Sequence, residues 1–239
     1  MTRTKEGEII KENIYPVEIS EKACSDLEKY SELLTEHNKV MNLTAITEKS
    51  EIRIKHFADC LSLLTLGIIK DGMSIADVGT GAGFPGLPLK IAAPSLCVTL
   101  IDALEKRVGF LNTVIEKLSL ENISAVHKRA EDAGHDSHLR ESFDIAASRA
   151  VAPLSVLSEY CLPLVKTGGY FLAMKGPDPE SEVKEAKSAV ETLGGKTEEI
   201  KRLTVADGIV HSAVIIKKIS QTPQKYPRKA GKPAKSPLK

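Results

Sequence analysis

Ser74-Ile75-Ala76-Asp77-Val78-Gly79-Thr80-Gly81-Ala82-Gly83-Phe84-Pro85-Gly86 decides how this chain folds. Ser74 to Val78 reads as a strand, and glycine then occupies every second position of the loop that follows. With no Cβ, those glycines let the backbone turn sharply and come within contact distance of a ligand. Pro85 and Pro88 suit the first turn of a helix, whose N–H groups lack partners in any case. The helix beyond offers partial positive charge and free N–H donors at its start. A nucleotide-like cofactor is the expected occupant. An unliganded Gly-rich turn is the plain alternative, and strand, loop, helix and a following acidic strand end together weigh against it.

Two cofactors compete for this loop. From Gly81, the residues Gly81, Gly83 and Gly86 spell a dinucleotide fingerprint, with Asp102 placed to hold a ribose. From Asp77, the same stretch is acidic-x-Gly-x-Gly-x-Gly, which resembles motif I of the Rossmann-like S-adenosylmethionine (SAM) methyltransferases. That resemblance implies an acidic group (Asp77) near the methionine part of SAM and glycines under its sugar. It also implies an acidic end to strand two, Asp102 in Val98–Asp102, accepting from the ribose hydroxyls. Asp77 favours SAM, because a carboxylate facing a pyrophosphate would be repelled. The chain after the nucleotide unit is also expected to be too short for a separate dehydrogenase catalytic domain.

Outward from the loop, strand and helix patterns alternate. Strands are expected at Ile75–Val78, Val98–Asp102, Ile123–His127, Phe143–Ser148, Tyr170–Lys175, Thr197–Leu203 and Val210–Lys218. Helices are expected at Leu87–Ala92, Glu105–Leu118, Leu154–Leu164 and Glu180–Leu193, the last stopped by Gly194-Gly195. Such alternation predicts an α/β fold of the class I SAM-dependent methyltransferase type, a seven-stranded, mostly parallel sheet covered on both faces. Upstream, Ser20 can cap a helix whose apolar positions are Ala23, Cys24, Leu27, Tyr30 and Leu34. A second helix, Glu51–Leu66, carries His56 and Asp59 three apart, hence on one face. The expected organisation is an N-terminal helical subdomain (1–70), a SAM-binding domain (71–219) and a basic, Pro-containing tail (220–239), with the first residues up to Val17 loosely held.

Bulk properties narrow the class. The 239 residues are 42% hydrophobic, enough for one good core and an appendage. No apolar run approaches membrane-spanning length, and the charged N-terminal stretch is not followed by a signal-peptide core. Cys24, Cys60, Cys97 and Cys161 are widely spaced and read as reduced thiols of a cytoplasmic protein, not as a metal site or disulfide frame. His135 and His138 lie in a polar loop and are expected to be solvated. Charge is uneven: Lys217 to Lys239 hold eight Lys or Arg and no acid, so of 33 basic residues 25 remain against 32 acidic ones, a net −7 for residues 1–216. A basic tail on an acidic body suggests an anionic partner for the tail, the alternative being a solubilising end.

Cofactor and substrate should meet over the carboxyl ends of the strands, near the point where strand order reverses. Ala130 and Glu131 follow strand three, where Glu131 can accept from a ribose or orient a base and the Ala130 backbone can meet a base edge; an ordinary polar loop is the alternative. Arg149 follows strand four, at the mouth of the site. It can hold a carboxylate or phosphate, or form a buried pair with Asp77. Lys175 ends strand five, facing the same cleft.

Along nearly its full length the chain resembles the bacterial 16S ribosomal RNA guanine-N7 methyltransferases of the small subunit, the glucose-inhibited division protein B family. The matching pieces are Asn42-Leu43-Thr44, His56–Leu61, Asp77–Pro88, Asp102–Arg107, Ala130-Glu131, Ser148–Leu154 and the tail Tyr226–Pro233. Departures are mild, Cys60 standing where Ser is usual and Ala103 where Ser is common. The resemblance implies SAM contacts from Gly79, Phe84, Ala130, Glu131 and Arg149, with Gly81, Gly83, Asp77 and Asp102 around the same ligand. It implies as substrate a guanine in the decoding-region loop of 16S rRNA, presented by free RNA, an assembly particle or the 30S subunit.

Guanine N7 has a lone pair and no proton, so no general base, nucleophile or metal is expected. Orientation of N7 toward the methyl group can supply roughly 7–11 kcal/mol. RNA calls for cations, and Arg107, Arg129, Lys175, Arg228 and Lys229 are the candidates, with Tyr226 available to stack on a base. A cytoplasmic monomer is expected. Rival readings are methylation at another RNA site, and a ribosome-assembly factor that keeps SAM as a structural ligand.

Overall fold

The computed structural model describes residues 14–149, 152–205, 208 and 210–239. The first thirteen residues, and Ala150 and Val151 of the Ser148–Leu154 stretch, lie outside the described residues.

The Ser20 hydroxyl accepts from Ala23 N at 3.1 Å and starts α1 (Glu21–Met41); Asn42, in the left-handed region at φ 49°, ends it. The Asn38 amide then bonds both the N–H and the carbonyl of Thr44, at 2.9 and 2.8 Å, and pins the turn Asn42-Leu43-Thr44. The predicted second helix is a composite: α2 (Lys49–Ile52), a π-helical stretch (Arg53–Ala58), α3 (Asp59–Leu61) and a 3₁₀ stretch (Ser62–Leu66). Widened π turns of this kind recur at functional sites because they re-aim side chains, and His56 lies within this one.

Seven strands form one sheet in the order β3-β2-β1-β4-β5-β7-β6: β1 (Ser74–Val78), β2 (Cys97–Asp102), β3 (Ile123–His127), β4 (Phe143–Arg149), β5 (Val165–Lys175), β6 (Gly195–Thr204) and β7 (Val210–Lys218). Only β7 runs against its neighbours. The mostly parallel sheet is therefore as expected, with β1 and β4 adjacent where the strand order reverses. Between strands come α4 (Gly86–Ala92), α5 (Glu105–Lys117), α6 (Ala130–Ala133), α7 (Leu154–Cys161) and α8 (Glu180–Thr192). Strand β5 begins five residues before the predicted start, because Val165 already pairs with Phe143 across Gly168-Gly169.

Alternation along each strand divides the core. Ile75, Leu100, Ile145, Leu172 and Ile215 face one side, where Leu27, Tyr30, Leu34 and Phe57 of the N-terminal helices join them. Ala76, Val78, Ile101, Phe171 and Val214 face the other, with Leu157, Cys161, Val190 and, from the C-terminal stretch, Tyr226. The N-terminal helices thus cover a sheet face directly.

The last twenty residues pack on the body instead of leaving it. Tyr226 is 8% exposed, and a short α9 (Lys232–Lys235) follows it. Arg228 forms a double hydrogen bond with Glu159, a carboxylate with no exposed surface. Arg140 donates to the carbonyls of Thr222 and Tyr226, at 2.7 and 2.9 Å. The expectations for Tyr226 and Arg228 are corrected here: the ring is a core residue, and the guanidinium neutralises a charge that would otherwise be stranded in the interior.

Candidate active site

The glycine loop leaves β1 toward open space. Gly79 and Gly81 have φ of +70° and +63°, and a Cβ on either would meet no atom within 4 Å. Their backbone conformation demands glycine while the space above them stays free, which is the shape of a ligand cradle. Gly83 and Gly86 are glycine for packing. A Cβ at Gly83 would fall 2.3 Å from Leu87 Cδ1, and one at Gly86 would fall 2.4 Å from Leu100 Cδ2.

Two carboxylates hold this loop. Asp102 Oδ2 accepts from Gly81 N and Oδ1 from Leu104 N, both at 2.9 Å, with Arg107 Nη1 3.5 Å from Oδ2. Asp77 lies beneath the loop, fully buried; its Oδ2 accepts from Thr80 Oγ1 at 2.6 Å and Gly86 N at 2.7 Å. Its Oδ1 has no partner among the described residues. Burial pushes the Asp77 carboxyl up to about 7, against the pull of its two donors and of the Arg149 charge. The sequence reading has Asp77 open to a ligand, whereas the structure makes it a brace whose second oxygen still lacks a hydrogen bond.

Arg149 ends β4 at the mouth of the cleft with its guanidinium carbon 4.5 Å from the centre of the Phe84 ring. Nη1 donates to Asp59 Oδ2 at 3.2 Å and to the Lys55 carbonyl at 3.3 Å, and Nη2 to His56 Nδ1 at 3.1 Å. The buried partner of Arg149 is therefore Asp59, not Asp77. Beside Arg149, which has only donors to give, His56 Nδ1 serves as acceptor, and Nε2 lies 2.8 Å from Thr44 Oγ1; the Lys55 carbonyl, 3.2 Å from Nδ1, competes for the opposite tautomer. Burial, reinforced by the Arg149 charge, lowers His56 to about 4, so the ring is neutral at physiological pH. The other oxygen of Asp59 takes Nδ1 of His211 at 2.6 Å; that bond raises the His211 pKa.

Phe84 is 5% exposed and stacks among Tyr30, Phe57 and His56, and the Tyr30 hydroxyl donates to the Ala82 carbonyl. The N-terminal helices thereby fix the loop from behind. Ala130, half-buried, opens α6, whereas the Glu131 carboxylate turns away from solvent, is 6% exposed and accepts from Gly231 N at 2.8 Å. Lys175 also departs from expectation: its side chain is 8% exposed and donates to Glu182 Oε1 and the Ala152 carbonyl, both at 2.7 Å. Of the predicted RNA cations, Arg129 and Lys229 are exposed and Arg107 is 38% exposed. The sequence sets Asp59 on one face with His56, and no local signal joins it to His211, 152 positions away. Among the described residues, no group of three or more His, Cys, Asp or Glu is placed to hold a metal ion. No described helix is long and apolar enough to cross a membrane.

Over residues 23–210 the sequence matches the family described as rRNA small subunit methyltransferase G. The chain belongs to that family. Methyltransferase G of Desulforamulus reducens is 53% identical over 224 residues, 92% of each chain, and that of Alkaliphilus metalliredigens 49% identical over 222 residues, 92% of this chain and 93% of its own. Membership makes the chain a SAM-dependent methyltransferase. Solved structures agree on the fold. A SAM-dependent methyltransferase from Aquifex aeolicus matches with a TM-score of 0.53 at 22% identity, over 72% of this chain and 94% of that one. TYW2 of M. jannaschii, solved with AdoMet, matches with a TM-score of 0.52 at 16% identity, over 65% and 74%. The cradle fits that cofactor: free space over Gly79 and Gly81, and beneath them a buried carboxylate short of one partner among the described residues.

Proposed function

We propose that this methyltransferase transfers a methyl group from SAM to N7 of a guanine in 16S rRNA of the small subunit, acting in the cytoplasm on RNA or an assembling 30S particle. The observation that carries the reading is Asp77. A fully buried carboxyl with an unpartnered oxygen, set under an open glycine loop, favours a cationic ligand over a pyrophosphate. SAM supplies an electrophilic methyl group bound to a positive sulfur.

The residues proposed to hold the cofactor are Gly79, Gly81, Asp102 and the Ala130 backbone, with Asp77 below and Arg149 at the rim. Asp102 spends one lone pair of each oxygen on backbone N–H groups and keeps others for hydroxyl donors. Gly83, Phe84 and Glu131 contribute by packing and position.

Engagement of the titratable groups around the mouth supports a reaction without a general base. His56 is neutral with both ring nitrogens in hydrogen bonds, both oxygens of Asp59 are taken, and Asp77 lies under the loop out of reach of solvent. A nucleophile that carries no proton suits such a site. What the chain supplies is orientation, by a rigid rim of Arg149, Phe84 and His56. For RNA we propose Arg107, Arg129 and Lys229, which have exposed charge to give.

Titration calorimetry with SAM and NAD side by side tests the cofactor assignment. Micromolar binding of SAM and none of NAD is expected; the reverse order, or binding of neither, overturns it.

A further inference from the structure

The C-terminal stretch approaches the cofactor side of the sheet at one point. Gly231 N donates to Glu131 Oε1 at 2.8 Å, and Glu131 immediately follows Ala130, whose backbone is proposed above to hold the cofactor. Three further attachments fix the same stretch. Arg228 pairs with Glu159 of α7, Arg140 holds the carbonyls of Thr222 and Tyr226, and His135 Nε2 lies 2.6 Å from the Pro227 carbonyl oxygen. Pro227 also lies so close to Gly134 that a Cβ there would be 2.5 Å from its Cγ. Gly134 caps α6, so the tail clasps both ends of the short helix that begins at Ala130.

We infer that residues 226–231 act as a clasp that sets the position of Ala130 and Glu131, so that cofactor affinity depends on the docked tail and Glu131 is a positioning residue working through Gly231. The inference rests on the cofactor assignment above and deepens it. The physical reason is that α6 is a single turn, and one turn of helix does not hold its shape without tertiary contacts. On one side it packs against α7; on the other it has the tail. Released from the tail, Glu131 loses the N–H it accepts from, and the loop bearing Ala130 samples more conformations, which weakens binding in proportion to the lost competent fraction.

Equilibrium binding of SAM to the full chain tests this. E159Q/R228Q dissolves the ion pair without leaving a buried charge, and E131A removes the acceptor. Each is expected to raise the SAM Kd about tenfold, and E159Q/R228Q should keep kcat at saturating cofactor near that of the parent chain. The combined variant should be no weaker than the weaker of the two, because both break one linkage. E131Q, which keeps a carbonyl oxygen for Gly231 N–H, should stay within about twofold of the parent. R140Q, at a half-exposed side chain, serves if E159Q/R228Q fails to fold, and should raise Kd in the same direction. An unchanged Kd in the folded tail variants overturns the clasp, as do losses that multiply in the combined variant, which would mean that Glu131 meets the cofactor directly. Failure of the parent chain to bind SAM removes the cofactor assignment itself, and the two failures are thereby distinct.

Discussion

Nη1 of Arg149 lies 3.2 Å from Oδ2 of Asp59, joining the end of β4 to a helix 90 residues earlier, and the same carboxylate takes His211 on its other oxygen. Asp59 is 2% exposed, so Arg149 and His211 share one buried carboxylate. Removing that anion strands charge, and the loss from a broken buried pair is typically about 3–5 kcal/mol. D59A should therefore lower stability by that order in denaturant unfolding, and methyl transfer should fall with it. R149K should also fail, because a lysine cannot meet Asp59, His56 and the Lys55 carbonyl together while lying flat on Phe84. Parent-like activity in R149K would show that the fork geometry is unimportant.

Two buried groups give stability opposite slopes with pH. His56 is held down near 4 from 6.5, so the unfolded chain binds more protons between those values, and stability falls as pH drops from 6.5 to 4. Asp77 is raised from 3.8 to about 7, so the folded chain binds more protons there, and stability falls as pH rises across that interval. The two oppose each other through the acid range. D77N removes one of them. Its stability relative to the parent should improve from pH 4 to pH 8 by up to about 4 kcal/mol, read as the difference in unfolding free energy; a pH-independent difference would place the Asp77 titration elsewhere.

A cation bound above Asp77 favours its ionised form. Affinity for SAM should accordingly rise as pH passes through about 7, with a weaker trend for the uncharged thioether product and none in D77N. Calorimetry at pH 6 and 8 reads this directly.

Cations divide into free and engaged. K229E and R129E are expected to weaken binding of 16S rRNA fragments and to reduce the slope of log affinity against log salt by roughly one each. K175A should show its effect in thermal unfolding, since Lys175 is tied to Glu182 and Ala152. A normal melting temperature combined with lost RNA affinity in K175A would return that lysine to the RNA surface.

Much of this was readable from local rules. Gly79 and Gly81 are required by backbone conformation alone, so the loop, and with it β1 and α4, is visible in thirteen residues. Strand boundaries at β2, β3 and β7 fall within a residue of the hydrophobic alternation. Contacts that bring distant charges together left no local mark. Glu159 sits in an apolar helix beside Leu157 and Cys161, a hint that some cation must reach it, yet nothing in sequence names Arg228, 69 positions on. The tail's eight basic residues looked like one uncommitted group because composition does not separate Arg228, spent on Glu159, or Lys218, spent on Glu141, from Lys229 at the surface. Likewise, period-two patterning places His211 on β7 without revealing Asp59 opposite it.

The most direct test is to incubate unmethylated small-subunit RNA, free and as 30S particles, with the purified chain and methyl-labelled SAM, then map the label by mass spectrometry and by cleavage at N7-methylguanine. One methyl group per RNA on N7 of a single guanine is the predicted result. Label on an exocyclic amine, on a ribose hydroxyl or on no RNA at all would contradict transfer to a proton-free ring nitrogen.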